Sequence, residues 1–516
     1  MKLSELLYYG EYTSLACADD IEIRSLSTDT SKIEEGCLFI CVCGSNYNPL
    51  KMLSYIKKQK AAAVIVEKGS QYEHLDGLPV FEVDNARKSL SYIYSRYYGS
   101  PSDKMKIIGV TGTNGKTSTS YMLRKILMYA GYKVGLIGTV ECLIGDDVFS
   151  LPDTDTRADR LKTMTTPVPE VLYEILKKMC DEGVTHVIME VSSHALALDR
   201  VAPINFECGI FTNLAPEHLD FHKDMNDYML AKSKLFCQCK YGIFNCDNEY
   251  SDSLISLCSC EVLRCSAHRE TDYCASKVRL LGSHGVDYTY NSPNCSAKIK
   301  CDIPAVFTVY NSLSAISCAL SLGISLSDAQ KAIAEMKSVS GRLERIALEY
   351  DEGYSVFIDY AHTEEALRNL LTTVRHFRSG NERIVLIFGC GGDRDKSKRA
   401  PMGKTAEELA DFVIVTTDNP RNEKPREIIR DILVGMKDIN RRRVILDRKK
   451  AIEYAILNAR ENDIIILAGK GHESYQIDDS GSFPFDERKI VQQAQLNRKK
   501  GDNKNENSSS PSFYSR

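Results

Sequence analysis

The chain has 516 residues, which is too long for a single hydrophobic core and predicts about three domains. Its 66 basic and 70 acidic residues give a formal net charge of −4, which excludes a global electrostatic attraction to nucleic acid or to an anionic membrane. No apolar run approaches the ~20 residues that span a bilayer, and the N-terminus lacks a signal-peptide pattern, so we predict a cytoplasmic protein without a membrane span.

Three α/β segments and a polar tail follow one another along the chain. Residues 1–103 hold short strand-like and helix-like runs and end at a Gly/Ser/Pro linker, which predicts a smaller N-terminal α/β domain. Residues 104–338 alternate apolar strands with helical patterns, which predicts a central P-loop-type parallel sheet with helices on both faces. Residues 339–498 repeat this alternation and predict a C-terminal Rossmann-like α/β domain, whereas the Ser- and Asn-rich residues 499–516 predict a disordered tail.

The 18 cysteines form no paired Cys-x-x-Cys knuckles. In a reducing compartment, we expect them to be small buried hydrophobic residues. A metal site made from Cys237, Cys239, Cys258 and Cys260 is the alternative, although the tight Cys-x-Cys spacing differs from the usual zinc patterns.

A glycine-rich loop follows the first apolar strand of the central segment. The loop and the start of the next helical pattern consist of Gly112, Thr113, Asn114, Gly115, Lys116, Thr117 and Ser118. Such a loop directs backbone N–H groups to one point, adds a lysine charge and places a hydroxyl where Mg²⁺ can bind, so it predicts a nucleotide phosphate site. The two glycines are closer together than in the common G-x-x-x-x-G-K loop, which argues against GTPases and common kinases. A chance glycine turn after a buried strand is the alternative.

Two later segments place carboxylates and imidazoles near such a loop. Glu190 follows the next strongly apolar strand and is a candidate to complete the Mg²⁺ site that Thr117 begins, with a solvated or capping role as the alternative. Residues 217–222 combine two carboxylates with His218 and His222, and without further support they indicate a polar loop.

Together these segments resemble the Mur ligase family, and further matches extend the resemblance over about residues 25–495. The matching runs are residues 109–117, 190–194, 218–222, 228–236, 309–313, 341–344 and 359–363. The resemblance implies an ATP-dependent amide ligase of peptidoglycan synthesis, in particular one that extends UDP-MurNAc-L-Ala-D-Glu. ATP would phosphorylate the D-Glu γ-carboxylate, and an incoming amine would attack the resulting acyl phosphate. The expected partners are small molecules only, and the expected assembly is a monomer.

The resemblance also assigns roles to individual residues. ATP would contact the loop together with Asn311, Arg342 and Asp359, and Lys116, His218 and Lys232 would be catalytic. Mg²⁺ would be held by Thr117, Glu190, His218 and a Lys232 that CO₂ has carbamylated. Without the resemblance, Lys232 would be interpreted as an ordinary lysine on a helix surface.

The expected contacts to the nucleotide-sugar substrate lie in the first two segments. These residues are Thr28, Thr30, Ser45, Asn46, Tyr47, Thr165, Thr166, Ser192 and Arg200. Leu198 occupies a position where some family members have a substrate-binding Gln, so we assign no polar contact to it.

The third segment indicates which amine is added. The residues implied by the resemblance are Arg394, Asp418, Asn419, Pro420, Arg421, Gly469 and Glu473. A guanidinium at Arg421 would bind the distal carboxylate of meso-diaminopimelate and would repel the ammonium of lysine. Glycines 389, 391 and 392 also resemble a dinucleotide turn, but no helix pattern follows them. L-lysine addition, folylpolyglutamate synthesis and a non-catalytic nucleotide-binding scaffold are the alternatives.

Overall fold

The computed structural model describes residues 1–7, 12–14, 21–44, 47–151, 164–219, 221–378, 380 and 382–508. The chain forms two compact units. Unit 1 comprises Met1–Cys274 and Leu313–Ala329, and unit 2 comprises Ala275–Ser312 and Gln330–Arg516. The predicted boundary at residue 103 therefore falls inside unit 1. Within the described ranges, no helix is long and apolar enough to cross a membrane.

Unit 1 begins with a small sheet whose faces are both covered. Its elements are α1 (Leu3–Leu6), β1 (Tyr12–Ser14), β2 (Ser25–Ser27), β3 (Cys37–Ile40), α2 (Leu53–Lys58), β4 (Ala63–Glu67), β5 (Val80–Val83) and α3 (Ala86–Tyr97). The strand order is β1-β5-β4-β3-β2, and only β1 runs antiparallel. In β3, Leu38 and Ile40 join one buried cluster while Phe39 joins another, as the alternation of side chains in a strand requires.

The second sheet of unit 1 carries the glycine-rich loop. Its strands are β6 (Lys106–Thr111), β7 (Val134–Ile137), β8 (Cys142–Ile144), β9 (Asp147–Val148), β10 (His186–Glu190), β11 (Phe206–Phe211), β12 (Cys239–Asn245) and β13 (Glu261–Ser266). The helices are α4 (Lys116–Tyr129), α5 (Pro169–Asp181), α6 (Ser193–Ala197), α7 (Met225–Phe236) and α8 (Ser251–Ile255). The order is β13-β12-β11-β6-β10-β7-β8-β9, parallel from β13 to β7. Because the carboxyl ends of parallel strands share one edge, the loops after β6, β10 and β11 converge there.

A row of glycines crosses three adjacent strands of this sheet. Gly109 of β6 pairs with Gly209 of β11, which pairs with Gly242 of β12. A Cβ on Gly109 would lie 2.8 Å from Leu235 Cδ1, and one on Gly209 would lie 3.1 Å from the Phe236 ring. Both neighbours belong to α7, so the missing side chains allow this helix to approach the sheet closely.

The boundary between the two units passes through three elements. These are β14 (Tyr273–Leu280), α9 (Phe307–Ser321) and α10 (Leu326–Ala334). Unit 2 also contains an antiparallel pair, β15 (Val286–Asn291) and β16 (Ser296–Cys301).

Unit 2 is built around a six-stranded sheet. Its strands are β17 (Glu344–Arg345), β18 (Ser355–Asp359), β19 (Arg383–Phe388), β20 (Phe412–Val415), β21 (Arg442–Val444) and β22 (Asp463–Ala468), and a hairpin adds β23 (Tyr475–Asp478) and β24 (Gly481–Pro484). The helices are α11 (Glu364–Phe377), α12 (Arg399–Leu409), α13 (Pro425–Leu433), α14 (Arg448–Leu457) and α15 (Glu487–Ser508). The order is β17-β18-β22-β19-β20-β21, and only β17 is antiparallel.

Helices cover both faces of this sheet, as the Rossmann-like prediction requires. Leu386 of β19 packs in a cluster with α11, α12 and α13, whereas its neighbours Val385 and Ile387 pack with α14 and α15. The predicted α/β fold class is therefore confirmed. Helix α15 continues to Ser508, so the first part of the predicted tail is helical, and residues 509–516 lie outside the described ranges.

Candidate active site

The glycine-rich loop is locked against the end of β11. Gly112 has φ 148°, and a Cβ at this position would lie 1.9 Å from Thr212 Oγ1, so only glycine fits. Thr113 N donates to Asn213 O at 2.8 Å, and Asn114 N donates to Asn213 Oδ1 at 3.0 Å. The loop therefore has a fixed shape, and α4 begins directly after it at Lys116.

The Lys116 ammonium lies against the backbone of the glycine-rich loop. Lys116 Nζ donates to Gly112 O at 2.9 Å and to Thr113 O at 2.8 Å. The side chain thus folds back over its own loop and holds its ammonium beside the N-terminus of α4, where an anion is favoured.

Glu190 is a fully buried carboxylate at the end of β10. Its Oε2 accepts hydrogen bonds from Thr117 Oγ1 at 3.1 Å and Thr139 Oγ1 at 2.9 Å, and its Oε1 accepts from Thr139 N at 3.1 Å. All three donors are neutral. Neutral donors do not neutralise the negative charge of the buried carboxylate. A divalent cation bound by the carboxylate and the neighbouring hydroxyl would do so.

Lys232 is buried under the loop and is not on a helix surface, so the interpretation made without the family resemblance is wrong. Its Nζ donates to Gly112 O at 3.0 Å and lies 4.5 Å from the centre of the Tyr228 ring. Burial, and to a lesser degree the charge of Lys116, lower the pKa of Lys232 well below its usual value. The tight packing of α7 on the glycine row brings this amine to the loop.

His218 lies in a cluster of rings on the same side of unit 1. Its ring centre is 5.0 Å from that of His194 and 6.2 Å from that of Tyr228, and its Nε2 is 3.7 Å from Glu217 Oε2. His218 has φ 57°, a backbone conformation that costs a non-glycine residue ~1–3 kcal/mol. The predicted motif also includes Asp220, which lies outside the described residues.

Four predicted substrate residues line one cavity of about 800 Å³ in unit 1: Thr28, Thr30, Tyr47 and Arg200. Tyr47 Oη donates to Thr30 Oγ1 at 3.1 Å. The predicted positions 45 and 46 lie outside the described residues. The cavity is large enough for a nucleotide-sugar.

A chain of hydrogen bonds joins the other predicted substrate residues to the carboxylate site. Arg200 Nη1 donates to Thr166 O at 2.8 Å, and Thr166 Oγ1 donates to Glu190 O at 2.8 Å. Ser192 N donates to Thr166 Oγ1 at 3.0 Å, and the hydroxyl oxygens of Thr165 and Thr139 lie 3.1 Å apart. The cavity and the buried carboxylate are thus connected within one unit.

Two of the nucleotide-facing residues predicted in unit 2 lie where the start of β17 meets the end of β18: Arg342 precedes β17, and Asp359 is the last residue of β18. Asp359 accepts from Leu343 N and from Ala361 N, each at 2.8 Å. Burial raises the pKa of Asp359, and the charge of Arg342 opposes this. The Arg342 guanidinium lies 5.5 Å from the centre of the Tyr360 ring.

Asn311 is buried in the part of α9 that belongs to unit 2.

The two predicted arginines of unit 2 meet at a glycine. A Cβ on Gly391 would lie 3.0 Å from Arg421 Nη1 and 3.7 Å from Arg394 Cγ. Arg421 Nη1 also donates to Gly392 O at 2.9 Å, and Arg421 has φ 50°. A Cβ on Gly392 would lie 1.9 Å from Pro420 O, so this close approach of the two loops requires glycine. The glycines therefore serve loop packing, and no dinucleotide turn is formed.

The remaining predicted residues of unit 2 form a charged network. Asn419 Nδ2 donates to Glu473 Oε2 at 2.8 Å, and Lys470 Nζ donates to Asn419 Oδ1 at 2.8 Å. Burial and the nearby charge of Asp418 raise the pKa of Glu473. Gly469 has φ 113° and its Cβ position lies 2.6 Å from Asp418 Oδ2. The carboxylates Asp418 and Glu473 would be stabilised by an added ammonium.

Comparisons with known proteins agree with this arrangement. Residues 110–319 match the Mur ligase middle domain, and residues 341–471 match the Mur ligase, glutamate ligase domain. The UDP-N-acetylmuramoyl-L-alanyl-D-glutamate--2,6-diaminopimelate ligase of Caldanaerobacter subterraneus subsp. tengcongensis is 41% identical over 496 residues, which cover 96% of this chain and 98% of the relative. This chain belongs to the Mur ligase family.

Other Mur ligases are similar over nearly the whole length. The relative of the same name in Clostridium tetani is 38% identical over 494 residues, covering 96% of this chain and 99% of its own. A solved structure with that ligase name has a TM-score of 0.68 at 26% identity, covering 97% and 99% of the two chains. The MurF ligase of Thermotoga maritima, solved in complex with ADP, shares the fold with a TM-score of 0.54 at 14% identity over 94% and 100% of the two chains.

Three residues of this Mur ligase have site contacts that no motif predicted. Thr139 binds Glu190 through both its N–H and its hydroxyl, and Lys470 is fully buried between Asn419 and Glu473. Arg399 lies in the basic run after Arg394 and is also fully buried. The position of Thr139 directly after β7 was the available signal, because ligands bind at that edge.

Proposed function

We propose that this chain uses ATP to join meso-diaminopimelate to UDP-N-acetylmuramoyl-L-alanyl-D-glutamate through an acyl phosphate, a step of peptidoglycan synthesis. The observation that carries the proposal is that Arg421 Nη1 and Arg394 Cγ lie 3.0 and 3.7 Å from the Cβ position of Gly391. Two arginine side chains this close together would favour a carboxylate on the incoming amino acid. The relatives that match nearly the whole chain bear the corresponding ligase name.

In the phosphoryl step the chain acts by charge and position. Lys116 would contact the terminal phosphates, and the loop N–H groups would hold them in line. Thr117 and Glu190 suit one Mg²⁺, because the ion prefers one or two protein oxygens together with phosphate oxygens. That ion would neutralise charge between two anionic reactants.

Carbamylation of Lys232 is part of the proposal. The neutral amine is the form that attacks CO₂, and the lowered pKa of Lys232, caused first by burial, favours that form. The nitrogen would form a bond to carbon and lose a proton, which converts a cation into a carboxylate. Together with His218, this carboxylate would hold a second Mg²⁺ beside the loop.

The amine would be selected in unit 2. Arg421 and Arg394 would bind the distal carboxylate with charge-assisted hydrogen bonds. Glu473 would accept the distal ammonium, which relieves the unfavourable burial of its own charge. Lysine lacks the carboxylate and would leave two guanidinium groups opposite an ammonium.

A direct test is to incubate the purified chain with the UDP-sugar dipeptide, ATP and Mg²⁺, and to supply meso-diaminopimelate or L-lysine in parallel reactions. Mass spectrometry should detect a diaminopimelate adduct together with ADP and phosphate. An adduct formed with lysine alone would refute the specificity. ATP binding without phosphate release in either reaction would instead support a non-catalytic scaffold.

A further inference from the structure

Four cysteines surround the starts of β12 and β13. Cys239 is the first residue of β12, and Cys260 directly precedes β13. In the parallel pairing of these strands Tyr241 lies opposite Glu261, so the two cysteines are offset by one residue. Strands ~4.8 Å apart with a rise of ~3.3 Å place such Cα atoms ~6 Å apart, which lies within the range of disulfides.

The two sulfur atoms lie on one face of the sheet. Gly209 and Gly242 are register partners, so their Cβ positions point to the same face. Cys239 Sγ lies 3.1 Å from the Cβ position of Gly209, and Cys260 Sγ lies 2.6 Å from that of Gly242. The side chains of the two cysteines are hydrogen-bonded to each other. The glycine row therefore provides the space in which these thiols meet.

The environment makes the two thiols unequal. The hydrogen bond from Cys239, together with one from Cys258, holds the pKa of Cys260 below its usual value. The same hydrogen bond and burial raise the pKa of Cys239. The lowered pKa makes Cys260 the better nucleophile of the two.

The expectation that the cysteines are buried hydrophobic residues is wrong in this region, since Cys237 is exposed and its three neighbours are only partly buried. No group of three or more His, Cys, Asp or Glu side chains among the described residues is arranged to hold a metal ion, so the four-cysteine metal site has no support. A small oxidant can reach partly buried sulfur atoms.

We propose that Cys239 and Cys260 form a redox-active pair, in which a hydroperoxide oxidises Cys260 and Cys239 then closes a reversible disulfide. The Cys260 sulfur attacks hydrogen peroxide, so that an S–O bond forms, the O–O bond breaks and the departing hydroxide takes up a proton to become water. The Cys239 sulfur loses its proton and attacks the sulfenic acid, so that the S–S bond forms and a second water leaves. Two thiols lose two electrons, and one peroxide becomes two waters.

The pair lies outside the ATP and substrate contacts described above, so its test does not depend on ligase activity. The full chain is reduced, treated with hydrogen peroxide, alkylated and digested with trypsin. Cleavage after Lys234, Lys240 and Arg264 leaves Cys239 in the peptide of residues 235–240 and Cys260 in that of residues 241–264. We expect these two peptides to be joined by a disulfide that dithiothreitol removes.

Because each of the two peptides also contains other cysteines, four variants are needed to show that the disulfide joins Cys239 and Cys260. The joined peptides should persist in C237S and C258S and should disappear in C239S and C260S. C239S should instead accumulate a sulfenic acid at Cys260 that dimedone traps. The absence of joined peptides from the wild-type chain, or their loss in C258S, would overturn the assignment.

Discussion

The phosphate site proposed in unit 1 and the amine site proposed in unit 2 are held in place in different ways. In unit 1 the phosphate loop is held by backbone hydrogen bonds to Asn213, and the reactive groups Glu190 and Lys232 are buried against it. In unit 2 Arg394 is exposed and Arg421 is half-buried, on two loops whose close approach includes Gly391 and Gly392. The comparison shows that two groups proposed for the phosphoryl step, Glu190 and Lys232, are buried and held by the sheet and its helices, whereas the arginine side chains proposed to select the amine lie on more exposed loops.

The buried guanidinium of Arg399 lies next to the loops of unit 2 that carry Arg394 and Arg421. Arg399 donates to both oxygens of Glu423, at 2.9 and 3.0 Å, and to Asp431 at 2.9 Å. Glu423 in turn accepts from Asp393 N at 2.7 Å, on the loop that carries Arg394. The ion pairs of the buried Arg399 therefore give the loops that carry Arg394 and Arg421 a fixed support.

In unit 1, the largest loss of activity is expected from removal of the buried amine of Lys232. We expect K232A to lower kcat for phosphate release at least ~1000-fold, because it removes a charged ligand and its electrostatic stabilisation of the transferring phosphate. K232R should not restore activity, since a guanidinium cannot form the carbamate. K234A, on the same helix, should remain within about twofold of wild type. Residual activity of K232A near the wild-type level would exclude the assigned role.

In unit 2, removal of the Arg421 guanidinium should weaken binding of diaminopimelate and leave the chemical step unchanged. Loss of a hydrogen bond to a charged group costs ~1.5–3 kcal/mol, so R421A should raise KM for diaminopimelate ~10–100-fold. KM for ATP should be unchanged. R426A, an exposed arginine at the start of α13, is the matched control. An unaltered KM for diaminopimelate in R421A would contradict the role assigned to Arg421.

The support of the metal site can be weakened without removing a ligand. T139V deletes a hydroxyl that contacts Glu190, and changes around metal ligands cost ~10–100-fold in affinity. We expect the Mg²⁺ concentration at half-maximal rate to rise about tenfold. Thr119 of α4 is also buried, and its hydroxyl has no hydrogen-bond partner among the residues that the structure describes, so T119V tests the effect of the substitution itself. Equal effects of both variants would argue against a specific role of Thr139.

The smallest effect concerns the support of the unit 2 loops. Hydrogen bonds from Arg399 hold the pKa of Glu423 at about 2, below its ordinary 4.5. A depressed carboxyl pKa stabilises the folded state above the unfolded pKa, and this stability is lost as the pH falls through the folded pKa. E423Q should therefore lower Tm by about 2–4 °C above roughly pH 5, and the difference should vanish towards pH 2. A difference independent of pH would refute this.

The sequence predicts the parts of the site that follow from strand order. Gly112, Lys116 and Glu190 come directly after or near apolar strands, and parallel strands bring their ends together. The burial of Lys232 could not be derived from α7 alone, because it depends on glycines in two other strands. Arg399 belongs to a basic run that indicates a solvated surface, yet its acidic partners lie 24 and 32 positions away. Such distant pairings have no local pattern.

The glycine row across β6, β11 and β12 leaves the space that determines how closely α7 packs on the sheet. An alanine at Gly109 would place a methyl carbon against Leu235, and one at Gly209 would press on Phe236. Either change would require side chains of α7 to repack against the sheet, and this packing also seats Lys232 at the loop. The absence of a side chain at two strand positions thus determines where the amine of the neighbouring helix lies.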